Sequence, residues 1–166
     1  MSAPHDVSRA ELSAPPGHRR PVRRVLVAFD GSDGSWAALE EGIAVAASDN
    51  ALLTIAAVVE EPPVWVGMAP LATPYNREGM RRDCEREMEQ QLAAARDEVP
   101  ATVSVTTRLL HGRPAPELIR LAHAGDYDLV VAGPRPACRW RRLFGRSVTH
   151  TLLSRARTSV LAVKAP

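Results

Sequence analysis

Val25-Leu26-Val27-Ala28-Phe29-Asp30-Gly31-Ser32-Asp33-Gly34-Ser35 is the stretch that decides the fold. Five apolar residues run without a break and stop at Asp-Gly-Ser. A continuous run of that length, ended by turn residues, suits a strand buried on both faces, as in a parallel sheet. Behind it, Ala37, Leu39, Ile43, Ala44 and Ala47 recur at helical spacing, with Ser32 placed as the N-cap.

The same alternation continues downstream. Leu52 to Val59 is a second apolar run, rich in β-branched residues. Residues 60–75 carry Pro62, Pro63, Pro70 and Pro74 and read as a loop. From Asn76 to Val99, the residues Met80, Cys84, Met88, Leu92, Ala95 and Val99 fall on one stripe among charges, the pattern of a long amphipathic helix. Val103 to Leu110 alternates like a strand and ends at His111-Gly112. Pro114 suits the first turn of a helix carrying Leu118, Ile119 and Ala122. Leu129 to Ala132 is another buried strand, closed by Gly133. After a loop, Ser147 can cap a last helix with Val148, Leu152 and Leu153, and Val160 to Val163 is a final strand. Strict alternation of five strands and four helices predicts an α/β fold: a five-stranded parallel sheet with helices on both faces.

The chain has 166 residues, enough for one domain with its own core. Residues 1–22 are polar and proline-rich and read as a disordered arm; residues 23–166 read as the domain. Aromatic residues make up only 4%, so Val, Leu, Ile and Ala must fill the core. A net charge of +2 gives no argument for nucleic acid. Two cysteines, Cys84 and Cys138, show no metal-ligand spacing and suit a reducing cytosol. No apolar run is long enough to span a membrane and no apolar leader opens the chain, so the expected address is the cytoplasm.

In open α/β sheets, ligands sit beyond the carboxyl ends of the strands, where the strand order reverses. Two strand exits stand out: residues 29–35 and residues 133–147. Val-Ala-Phe-Asp-Gly-Ser at 27–32, Asp-Tyr-Asp-Leu-Val-Val-Ala-Gly at 126–133, Ser147-Val148, and Ser-Val-Leu-Ala-Val at 159–163 resemble, in this order, the motifs of universal stress proteins. The resemblance covers about residues 23 to 164. It implies a Rossmann-like sandwich of the adenine-nucleotide alpha-hydrolase-like kind, strand order 3-2-1-4-5, with both unusual exits meeting at one crevice. It also implies that ATP or another adenine nucleotide binds there, any magnesium entering only with the nucleotide. Asp30 would hold the adenosine end, and backbone at Val58 or Val59 would meet adenine. The phosphates would lie on a loop of pattern Gly-x2-Gly-x9-Gly-Ser/Thr. The candidate residues are then Ala28, Phe29, Asp30, Ser32, Val58, Val59, Gly133, Arg135, Gly145, Arg146, Ser147 and Val148.

The loop departs from that pattern. Gly133 and Ser147 match its ends, but Pro136 and Arg146 stand where two glycines belong, with Gly145 one place early. Proline has no N–H to offer an anion. Arg135, Arg139, Arg141, Arg142 and Arg146 crowd the same segment and offer guanidinium groups instead. Three readings follow: a homodimeric regulatory protein that binds an adenine nucleotide, the same fold acting only through protein contacts, and an ATP-using enzyme of the PP-loop kind. The enzyme reading is the weakest, because Asp30-Gly31-Ser32-Asp33 lacks the paired glycines of that class. The resemblance places a dimer contact on the last strand, Val160 to Val163.

Overall fold

A computed structural model describes residues 21–60, 65–66, 69–70, 74–134 and 148–164. The elements run β1 (Arg24–Phe29), α1 (Asp33–Asp49), β2 (Leu52–Val59), β3 (Trp65–Val66), β4 (Ala69–Pro70), α2 (Pro74–Asp97), β5 (Val105–His111), α3 (Pro114–Ala124), β6 (Leu129–Ala132), α4 (Val148–Arg155) and β7 (Ser159–Ala162). The main sheet has the order β5-β2-β1-β6-β7, and all four pairings are parallel. Counting only its own five strands, that is the expected 3-2-1-4-5. The order reverses between β1 and β6.

The continuous apolar runs are explained by burial on both sides. Val25, Val27 and Phe29 of β1 point to one face, with Leu53, Ile55 and Ala57 of β2. Ala38, Leu39 and Ala46 of α1 and Leu92 and Ala95 of α2 cover that face. Leu26, Ala56, Val130 and Ala132 point to the other, under Leu118 and Ala122 of α3 and Leu152 of α4. Deeply buried Thr54 keeps its hydroxyl satisfied between Tyr127 Oη (3.0 Å) and Thr106 Oγ1 (3.1 Å). Among the described residues, no helix is long and apolar enough to cross a membrane.

Two sequence expectations need correction. The proline-rich stretch 60–75 is not wholly loop: Trp65–Val66 and Ala69–Pro70 pair as a small antiparallel ribbon, and α2 already begins at Pro74, the ring suiting a first helical turn. Cys84 lies on the apolar stripe of α2 by spacing, yet it is exposed. The reason is geometric. Leu92 and Ala95 sit against the sheet, and Met88 and Val99 pack at the edge of the same cluster. One turn before Met88 the stripe has already left the core, and charges take over. Arg81 bridges Glu78 and Glu85, Arg82 joins Glu78, and Glu85 Oε1 meets His111 Nε2 at 2.8 Å. The hydrogen bond from Arg81 holds the Glu78 carboxyl below its usual range, with Arg82 adding to the effect. These groups lie at the surface, half-buried to exposed, so the network orders the surface more than it stabilises the fold. Smaller differences concern ends: β5 starts at Val105 rather than Val103, and β7 spans Ser159–Ala162 rather than Val160 to Val163.

Candidate functional site

The strand register excavates the site. Ala28 of β1 lies level with Ala56 of β2 on one side and Ala132 of β6 on the other, and Ala132 is level with Ala162 of β7. Side chains level in neighbouring parallel strands share a face, so these positions form a row of methyl groups where larger residues would otherwise fill the layer. Above the row, Pro114 and Leu118 of α3 stand on one side and Val148 and Thr149 of α4 on the other. A recess open to solvent, about 470 Å³ with the solvent at its mouth counted, remains between them, at the β1/β6 reversal.

The floor and walls are apolar; the mouth is polar. Asp30, Ser32 and Ser35 come from the β1 exit and the start of α1, and Gly133 from the β6 exit. The Asp30 carboxylate accepts from the Ser32 N–H at 3.1 Å and from the Ser32 hydroxyl at 2.5 Å. The Ser32 Oγ in turn accepts from the Ser35 N–H at 3.3 Å, which caps α1 as the sequence predicts. Thr149 Oγ1 donates to the Gly133 carbonyl at 2.8 Å, tying α4 to the β6 exit. The recess wall continues into Phe29, whose ring meets Trp36 edge-on at 5.0 Å between centroids. The first residues of α1, α3 and α4 all border this end of the sheet, and helix N-termini favour negative charge. A flat apolar group fits the alanine floor; at the mouth the helix N-termini favour negative charge and the Asp30 carboxylate opposes it. Among the described residues, no cluster of three His, Cys, Asp or Glu side chains is arranged to hold a metal ion.

Of the residues singled out from sequence, Ala28, Phe29, Asp30, Ser32, Val58, Gly133 and Val148 come together around this recess. Val59 is buried away from it, and its carbonyl accepts from the Gly112 N–H at 3.0 Å. Arg135, Pro136, Gly145, Arg146 and Ser147 lie outside the described residues. Sequence reasoning missed Ser35, Ala56, Pro114, Leu118, Ala132 and Thr149. A usable signal existed for the alanines: Ala28 and Ala132 are the small members of strand runs otherwise made of Val, Leu and Phe.

Because the Ser32 hydroxyl both caps α1 and donates to Asp30, Ser32→Ala is expected to weaken the fold. Stability should fall by about 1 kcal/mol, the usual cost of a lost serine cap. Chemical unfolding followed by circular dichroism measures it. An unchanged midpoint would mean that the Ser35 N–H bond carries nothing.

A doubly wound sheet with an open recess at the strand reversal defines the class: an α/β fold of the Rossmann-like kind. The universal stress protein family model matches residues 21–164, and the chain belongs to that family. It is 30% identical to a universal stress protein of Thermus aquaticus, over 86% of this chain and 98% of that one. A universal stress protein solved in complex with cAMP is 25% identical, with a TM-score of 0.62 over 89% of this chain and 100% of that chain. An Arabidopsis thaliana family member solved with AMP bound shares the fold at 16% identity, with a TM-score of 0.62 over 87% of this chain and 92% of that chain.

Proposed function

We propose that this protein is a stress-related regulatory binding protein whose recess takes an adenine nucleotide. The observation that carries the reading is the alanine row under α3 and α4, opening onto Asp30 and Ser32 at the strand reversal. A relative of 25% identity solved with cAMP adds support. The purine would lie over Ala28 and Ala56 beside Val58, the ribose would approach Asp30, and the phosphates would leave past Gly133 toward Ser147. Arg135 and Arg146 would grip them by side chain, taking over from the missing glycine N–H groups. The reading is of binding rather than catalysis, in the cytoplasm.

Calorimetric titration with ATP and AMP tests this directly. Heat of binding is expected, with weakening in Arg135→Ala and Arg146→Ala. No heat at millimolar nucleotide would overturn the reading.

A second reading, contact with a protein and no nucleotide, draws on Pro136 and Arg146 at glycine positions. Under it, the wild type stays silent and the double variant Pro136→Gly, Arg146→Gly gains ATP binding.

In either reading we place the protein as a homodimer through β7. Among the described residues that strand has one unpaired edge, Leu161 is 37% exposed on it, and Leu153 of α4 is 54% exposed. Open apolar edges invite pairing with another chain. Sedimentation at micromolar concentration should give a dimer; a monomer would overturn this placement.

A further inference from the structure

Gln91 projects from α2 on the face of the sheet opposite the recess, one residue before the buried Leu92. Its side chain reaches the turn that leads from β1 into α1. A Cβ placed on Gly31 would fall 1.9 Å from Gln91 Oε1 and 2.7 Å from its Cδ, so the amide lies directly against that glycine. Gln91 Oε1 is buried and has no hydrogen-bond partner among the described residues. Buried carbonyl-type oxygens are seldom left unpaired, because they have given up water for nothing in return.

The residue it touches is unusual in the same place. Gly31 has φ +76°, a conformation open to glycine and strained for side-chain-bearing residues. A glycine passes between torsional regions at less cost than other residues, so the Asp30–Gly31 peptide is the part of the turn that can rotate. Its neighbours Asp30 and Ser32 line the recess. An unpaired acceptor therefore stands behind a pliable turn whose front is the candidate ligand site.

We propose that Gln91 is a positioning residue for the recess: when a nucleotide engages Asp30, the turn rotates and the Gly31 main-chain N–H donates to Gln91 Oε1. The ligand-free protein pairs the oxygen only transiently, and the bound form satisfies it. The difference favours binding. This rests on the nucleotide reading for its ligand, but the turn and the glutamine are properties of the chain alone.

Gln91→Met keeps the length and removes the polar atoms. Two results are expected together. The ligand-free variant unfolds at a temperature equal to or above the wild type, because a buried unpaired oxygen is gone. Its ATP dissociation constant by calorimetry rises about three- to tenfold, the value of one net hydrogen bond. A glutamine that only packs would show no loss of affinity, and an unchanged dissociation constant overturns the proposal. Gln91→Ala, which opens space rather than filling it, should show the same loss of affinity if methionine disturbs the packing.

Amide hydrogen exchange on the ligand-free proteins separates this claim from the nucleotide reading. Transient pairing with Gln91 should make the Gly31 amide exchange more slowly in the wild type than in Gln91→Met. Equal rates overturn the Gln91 assignment whatever ATP does. Different rates without ATP binding leave the Gln91 assignment standing and sink the nucleotide reading.

Discussion

Gly133→Ala is expected to lower the stability of the ligand-free protein by roughly 3 kcal/mol, the upper end of ordinary overpacking. In a chain of this size that is a drop of roughly 6–12 °C in the thermal midpoint. The cause is a backbone-to-backbone approach. A Cβ on Gly133 would lie 1.7 Å from the Gly34 carbonyl oxygen, 2.3 Å from its carbonyl carbon and 2.9 Å from its Cα. None of these atoms can swing aside as a side-chain tip could. The approach is reciprocal, since a Cβ on Gly34 would lie 1.9 Å from the Pro134 carbonyl oxygen. Either α1 must retreat or the β6 exit must shift, and both are anchored by the pairing of Ala28 with Ala132. The backbone torsion is not the reason, because positive φ among the described glycines occurs at Gly31 and Gly112 only. Thermal unfolding without nucleotide is therefore the deciding measurement. A glycine present only to present its N–H to phosphate would give no change in that experiment.

Ala28→Leu should have the opposite profile. Ala28 is the middle of the alanine row, flanked by Ala56 and Ala132, and it lines the recess. A leucine there sends its extra carbons into open space, so the fold should tolerate it with little change in midpoint. The same carbons occupy the floor on which the purine would lie. Nucleotide affinity is expected to fall about a hundredfold or more, equivalent to roughly 2.7 kcal/mol. Calorimetry reads the affinity, and quenching of Trp36, which meets Phe29 edge-on, gives a second optical signal. Retained affinity would place the nucleotide elsewhere on the molecule. Together the two variants separate a position that holds the fold from one that shapes the cavity, although both lie at the same strand reversal.

The unevenness of what could be read in advance has a physical pattern. Ser32 as a cap and Asp30 at a strand exit were legible because they act on residues two or three places away. The five strand runs were legible because burial on both faces leaves an unbroken apolar signature. The strand order came through the family resemblance, since spacing alone does not rank strands. Cys84 was misplaced because helical periodicity reports a stripe and says nothing of where the sheet beneath it stops. The β3/β4 ribbon was hidden by prolines that mark turns more strongly than two-residue strands mark pairing.

By itself, then, the sequence determined the element types, the parallel α/β class, the turn at Asp30 and the altered glycine pattern between Gly133 and Ser147. Those features depend on near neighbours in the chain and on the average polarity of its segments. Only the tertiary structure decided that Ala28, Ala56 and Ala132 line up into one floor, that Gly133 is a glycine because Gly34 lies against it, and that Gln91 stands unpaired behind Gly31. Each is a contact between residues far apart in the chain, set by register and helix placement. No local period encodes such distances, so the hollow at the strand reversal emerges only when the sheet is assembled.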